Sequence, residues 1–126
     1  MTNSRATEII VELPKTLMKA LQERFPGWRR AFLRFDASDG HHGSKGSYVT
    51  EEGVFLFDKR KLKPLFKELN GLGWELRSAM PDKLRFCVFI LSVNADSSYK
   101  MDFEFSDSDR WQITKKNGGT GIPEGF

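Results

Sequence analysis

The sequence predicts an α+β domain, an antiparallel β-sheet with one face covered by two helices. Three observations carry that expectation. Leu17, Met18, Leu21 and Phe25 recur at helical spacing, and Leu62, Leu65, Phe66 and Leu69 form an i, i+3, i+4, i+7 stripe further on. Tyr99, Met101, Phe103 and Phe105 alternate strictly with Lys100, Asp102, Glu104 and Ser106, the mark of a strand with one buried and one wet face. Residues 84–93 are apolar on both faces of a strand, which places them centrally in a sheet. Only the polar residues 94–98 separate that run from the alternating one, so the two read as an antiparallel hairpin.

The remaining elements follow in order. Pro26-Gly27 ends the first helix. Its start has two readings: an extended stretch over 8–13 before a helix that opens at Pro14, or one longer helix with Pro14 inside it. Ile9, Leu13 and Leu17 fall at i, i+4, i+8, which favours a helix over most of residues 6–24. Residues 28–36 read as a strand, with Ala31, Leu33 and Phe35 on one face and Arg30, Phe32 and Arg34 on the other. Residues 38–47, rich in Gly, Ser, His and Asp, read as a loop. Tyr48-Val49 and residues 54–57 read as short strands about a Glu51-Glu52-Gly53 turn. Asp58 is placed to cap the second helix, Pro64 is tolerable in its first turn, and Asn70-Gly71 is expected to stop it. Residues 111–114 read as one more short strand, and the glycine-rich end as a loose tail, leaving an ordered core over about 5–116.

Composition bounds the function. The chain has 126 residues, 39% hydrophobic and 29% charged, enough for one domain with one core and too apolar for a disordered chain. No run approaches the roughly 18 apolar residues of a membrane span, and residues 1–7 lack the apolar core of a secretory signal. A single cysteine, Cys87, forms no internal disulfide and fits a reducing cytoplasm; inside an apolar run it reads as a small buried hydrophobe. The net charge of +3 is too mild to imply nucleic acid, but it is segregated. Residues 58–67 hold five cations (Lys59, Arg60, Lys61, Lys63, Lys67) against Asp58, and residues 96–109 hold five carboxylates (Asp96, Asp102, Glu104, Asp107, Asp109) against Lys100.

Catalytic and cofactor motifs are absent from the sequence. Gly71-Leu72-Gly73 lacks the third glycine of a dinucleotide fingerprint, and Gly43-Ser44-Lys45-Gly46-Ser47 lacks the Gly-Lys-Ser/Thr ending of a P-loop. No cofactor and no resident metal is expected. His41 and His42, beside Asp36 and Asp39, lack zinc spacing. Asp102 and Glu104 share a strand face and together could hold Mg²⁺ for a nuclease, with Lys100 or Arg85 on the phosphate and only Asp82 and Asp107 as further acids; a wet sheet face of alternating charge is the plainer reading. A third reading is an interface, in which Asp102, Glu104, Asp107, Asp109 and Trp111 dock a basic protein surface. Of the three tryptophans, Trp28, Trp74 and Trp111, the last is the one expected to be exposed. Residues 8–21 resemble the strand–Leu-Pro–helix opening of a ribbon-helix-helix DNA-binding protein, but a strand-like, Arg-rich segment follows where that fold needs a second helix.

A second resemblance covers most of the chain. Phe25-Pro26-Gly27-Trp28 closes the first helix and opens a strand. The Tyr48 strand, the 62–69 helix, Trp74, the 84–93 strand and the acidic-aromatic run Tyr99-Lys100-Met101-Asp102-Phe103-Glu104-Phe105 follow. In this order, over roughly residues 5–112, the pattern resembles the YezG-like immunity proteins of bacterial polymorphic toxin and contact-dependent growth inhibition systems. The resemblance implies a cytoplasmic, non-enzymatic protein that binds a cognate toxin domain and blocks it stoichiometrically. Many such toxins are nucleases with cationic clefts, where Asp102, Glu104, Asp107 and Asp109 are expected to mimic phosphates. The cationic helix facing an acidic toxin surface is the other arrangement. The alternative function is a nucleic-acid-binding module using Arg29, Arg30, Arg34 and the Lys59–Lys67 face.

Overall fold

The computed structural model describes residues 4–38 and 40–126. The elements run α1 (Ser4–Arg24), β1 (Arg30–Ser38), β2 (His41–Thr50), β3 (Gly53–Leu56), α2 (Lys63–Ala79), β4 (Val88–Asn94) and β5 (Tyr99–Glu104), with short 3₁₀ turns at Asp82–Leu84 and Lys116–Gly118. The five strands form one antiparallel sheet in the order β3-β2-β1-β4-β5, and both helices pack on one of its faces. The chain is therefore α+β.

α1 is one helix with Pro14 inside it. An interior proline costs a helix about 3 kcal/mol or more. Ile9, Leu13, Leu17 and Leu21 lie on one stripe and are fully buried, and each such burial stabilises by roughly 1.5–3 kcal/mol, so the stripe prevails. Arg5 clamps α1 to α2: its Nε and Nη2 donate to the two carboxylate oxygens of Glu75 at 2.5 and 2.9 Å.

The sheet departs from the sequence expectation at β2. Residues 41–47 read as loop, yet they pair with β1 in continuous register, from Ser38 opposite His41 to Arg30 opposite Val49. The small residues are there because other groups come close. A Cβ on Gly46 would sit 2.6 Å from both the Phe32 carbonyl oxygen and the Phe57 ring. Ser44 and Ser47 are buried; the Ser44 hydroxyl donates to Asn70 Oδ1 and the Ser47 hydroxyl to the Gly121 carbonyl.

α2 also corrects the expectation. It does not stop at Asn70-Gly71 but runs on to Ala79, because Leu69, Gly73 and Leu76 continue its buried stripe. Gly73 lies against the Phe35 ring, 2.8 Å from where a Cβ would be, so its lack of a side chain lets the helix approach the sheet. Asp58 braces the preceding turn rather than the helix, accepting from the backbone of Arg60 and Lys61. Pro64 sits in the first turn, as expected.

β1 is central, and both its faces are covered. Ala31, Leu33, Phe35 and Ala37 join the helix-side core with Phe89, Leu91 and Val93 of β4. On the other face Phe32, Val88 and Ile90 form a second cluster with Trp111 and Ile113, with Ile122 packed against it. Residues 105–126 thus fold back over the sheet, and with them residues 117–126, which the sequence predicts as a loose tail. Their ties are irregular: the Gly121 amide donates to the Thr114 carbonyl, the Glu124 amide to the Gln112 carbonyl, and the Phe126 ring meets Phe32 edge-on. Residues 111–114 form no strand.

Candidate functional site

The acidic end of β5 begins at the sheet edge. Lys100, Asp102 and Glu104 share the face opposite the helices, opposite Ser92, Ile90 and Val88 of β4. Asp102 is partly exposed and lies 3.6 Å from Lys100 Nζ. β5 ends at Glu104, and the turn that follows is organised by that carboxylate. Glu104 Oε2 accepts the backbone N–H groups of Phe105, Ser106 and Asp107 at 3.0–3.1 Å, and Oε1 accepts from Arg110 Nη1 at 2.6 Å. The Arg110 guanidinium, then the backbone donors of Ser106 and Asp107, lower its carboxyl from the ordinary 4.5 to about 2. Asp107 Oδ1 accepts the Asp109 amide, closing the turn a second time.

The five residues singled out in the sequence therefore divide. Asp107 and Asp109 are exposed on the turn, and Asp102 stands beside it. Glu104 is taken up by its own backbone and Arg110. Trp111, expected at the surface, is only 7% exposed. It carries a φ of +61°, which turns its ring down onto the sheet beneath the Arg110 guanidinium, 4.5 Å from the ring centroid. In its place Phe105, just past the strand, is the exposed aromatic at 54%. The strict alternation placed Phe105 on the buried face; the Glu104 turn takes it off the strand.

Arg34 is a second correction. The sequence groups it with Arg29 and Arg30 as a surface for nucleic acid, but it is 4% exposed. Its Nε donates to the Arg110 carbonyl at 2.8 Å and its Nη2 to the Ser108 carbonyl at 2.6 Å, with Asp36 3.7 Å from Nη1. A buried guanidinium thus holds the acidic turn against the sheet from below. Arg29 is exposed beside Glu51, and Arg30 lies over the Phe32 ring. Lys59, Arg60, Lys61, Lys63 and Lys67 are exposed around the start of α2.

His41 and His42 point to opposite faces of β2, and the His42 ring lies 5.2 Å from Trp74. Asp39 lies outside the described residues. Among the described residues no group of three His, Cys, Asp or Glu side chains comes together to hold a metal ion. Cys87 is half-buried rather than buried; its thiol donates to the Glu104 carbonyl, and burial pushes its pKa up, with the carboxylate of Glu104 adding to the shift. Among the described residues no helix is long and apolar enough to cross a membrane. No protein-family model and no curated protein matches this chain.

Proposed function

We propose that this chain is a cytoplasmic immunity protein that binds a cognate bacterial toxin domain and blocks it by occlusion, without catalysis of its own. The family resemblance over residues 5–112 supplies the class of function. The observation that carries it to a surface is the turn after β5. Asp107 and Asp109 are exposed on a loop fixed by Glu104 and Arg34, flanked by Asp102 and by the exposed ring of Phe105. A loop already held in one conformation loses little entropy on docking. Carboxylates around an aromatic anchor complement a cationic cleft of the kind that binds nucleic acid in a nuclease toxin, and they speed encounter as well as tighten it.

Co-expression with the product of the adjacent gene, followed by native mass spectrometry and a growth assay, tests the reading. A 1:1 complex and rescued growth are expected; a free protein without rescue overturns it. Asp102→Lys with Asp109→Lys tests the surface, since both leave the Glu104 bonds in place. They are expected to slow association and flatten its salt dependence. Unchanged affinity and salt dependence would move the interface elsewhere.

A further inference from the structure

The same sheet face, toward its β3 edge and away from β5, holds a cavity that the proposed interface does not use. Lys45, Lys59, Lys115 and Lys116 line one cleft of about 400 Å³, with Leu56 and Ile113 among the groups between them. Three separate stretches of chain build it. β2 brings Lys45, whose register partner is Arg34, to the face opposite the helices. β3 brings Leu56 to the same face through its pairing with Ser47. The C-terminal segment carries residues 113–116 over that face, tied down by the Ser47 hydroxyl on the Gly121 carbonyl at 2.6 Å and the Gly121 amide on the Thr114 carbonyl at 3.0 Å.

The chemistry of this cleft is one-sided. Four lysines line it and no carboxylate does. Lys59 Nζ donates to the Ser44 carbonyl at 2.8 Å, and among the described residues Lys45, Lys115 and Lys116 form no ion pair. Lys115 Nζ lies over the Phe55 ring, 5.7 Å from its centroid. Ammonium groups that line one cleft repel one another, and a bound polyanion relieves that repulsion. Leu56, 44% exposed, lines the same cleft, an apolar surface that a simple anion leaves wet. The volume lies within the roughly 300–1,000 Å³ range of small-molecule pockets.

We infer that this cleft binds a phosphate ester bearing a flat apolar group, a ligand of the nucleotide class, with its phosphates on Lys45, Lys115 and Lys116 and its ring on Leu56. Lysine serves as a point charge toward phosphate, so phosphate number matters more than angular fit. The inference does not depend on the toxin reading, because the cleft and the acidic turn use different side chains.

Calorimetric titration of the full chain with magnesium-free ATP, and separately with inorganic tripolyphosphate, tests it. Saturable 1:1 ATP binding is expected, weakening as salt rises, with ATP about tenfold tighter than tripolyphosphate because only ATP covers Leu56. Lys115→Gln with Lys116→Gln is expected to weaken ATP by about tenfold or more, and Leu56→Ser to remove the advantage of ATP over tripolyphosphate. Lys45→Gln is a second, independent charge variant, and unchanged melting temperatures certify that all three variants fold. Absence of saturable ATP binding at low salt overturns the inference. So does equal affinity for ATP and tripolyphosphate in the unaltered chain, affinity unmoved by either lysine change, or binding of a short DNA duplex in place of ATP.

Discussion

Replacing Arg34 by methionine keeps most of the aliphatic volume of a side chain buried between the sheet and residues 105–111, and removes its guanidinium. Two hydrogen bonds disappear, to the carbonyls of Ser108 and Arg110, together with the contact to Asp36. A hydrogen bond from a charged donor contributes about 1.5–3 kcal/mol, so the pair is worth roughly 3–6 kcal/mol. Removing a buried charge also removes its desolvation cost, and Asp36 regains water on its exposed side, which offsets part of that loss. The net expectation is a destabilisation of about 3 kcal/mol. With a urea m-value of about 2 kcal/mol/M for a domain of this size, the midpoint falls by about 1.5 M. Arg34→Lys is expected to recover less than half, because one ammonium on a flexible stem does not reproduce the fork that spans two carbonyls. Urea unfolding followed by tryptophan fluorescence reads both variants, and trypsin digestion reads whether Lys115 and Lys116 become easier to cut. A loss below about 1 kcal/mol for Arg34→Met, or full recovery by lysine, would refute the assignment of Arg34 as the anchor of the C-terminal segment.

Other expectations follow from the same structure. Gly73→Ala places a Cβ 2.8 Å from the buried Phe35 ring and is expected to cost about 1–3 kcal/mol, whereas Gly71→Ala meets nothing within 4 Å and is expected to stabilise α2 by about 0.5–1 kcal/mol; opposite shifts in thermal midpoint check the pair. The Glu104 carboxyl sits at about 2 in the folded chain against an ordinary 4.5, so its contribution is fully present above pH 4.5 and is lost as pH falls through 2. Urea midpoints of the unaltered chain and Glu104→Gln, compared at pH 6, 4, 3 and 2, are therefore expected to converge on acidification. Trp111→Ala empties the centre of the second cluster and is expected to cost about 3–5 kcal/mol, against the near-neutral effect of removing a surface tryptophan; equilibrium unfolding separates the two.

Some of this was legible in the sequence and some was not, for identifiable reasons. The stripe Ile9, Leu13, Leu17, Leu21 outweighs Pro14, and the alternation from Tyr99 to Glu104 fixes which side of β5 meets the helices. These are local periodicities, and a sequence displays them directly. The first part of β2, residues 41–47, reads as loop because its residues are small for a non-local reason. Gly46, Ser44 and Ser47 leave room for Phe57, Asn70 and Gly121, which are distant in the chain. The Asp-Gly dipeptide at 39–40 is a hairpin signal in its own right, yet the sequence reading absorbs it into the loop over 38–47. The same logic hid the length of α2, where Asn70-Gly71 reads as a stop and Gly73, beyond it, acts as a spacer against Phe35. At the candidate site the charges of Asp107 and Asp109 were visible. The buried Arg34 beneath them was not, since its partners are backbone carbonyls, which carry no sequence signal.

The division of labour between the two sheet faces makes the C-terminal segment the element on which surface properties depend. The helix side has a large apolar core built by α1, α2 and the strands. The other side has a small cluster around Trp111 and Ile113, and residues 105–126 are what cover it. The acidic turn and the lysine cleft both include residues of that covering segment. One is anchored by Arg34 and the other by Ser47, at different places along β1 and β2. Loss of the Arg34 anchor therefore loosens the turn first, and loss of the Ser47 hydroxyl loosens the cleft first. Removal of Trp111, which lies between them in the chain, weakens both. That ordering separates a shared covering segment from two unrelated surface patches, for which Trp111, stacked under Arg110, matters to the turn and not to the cleft.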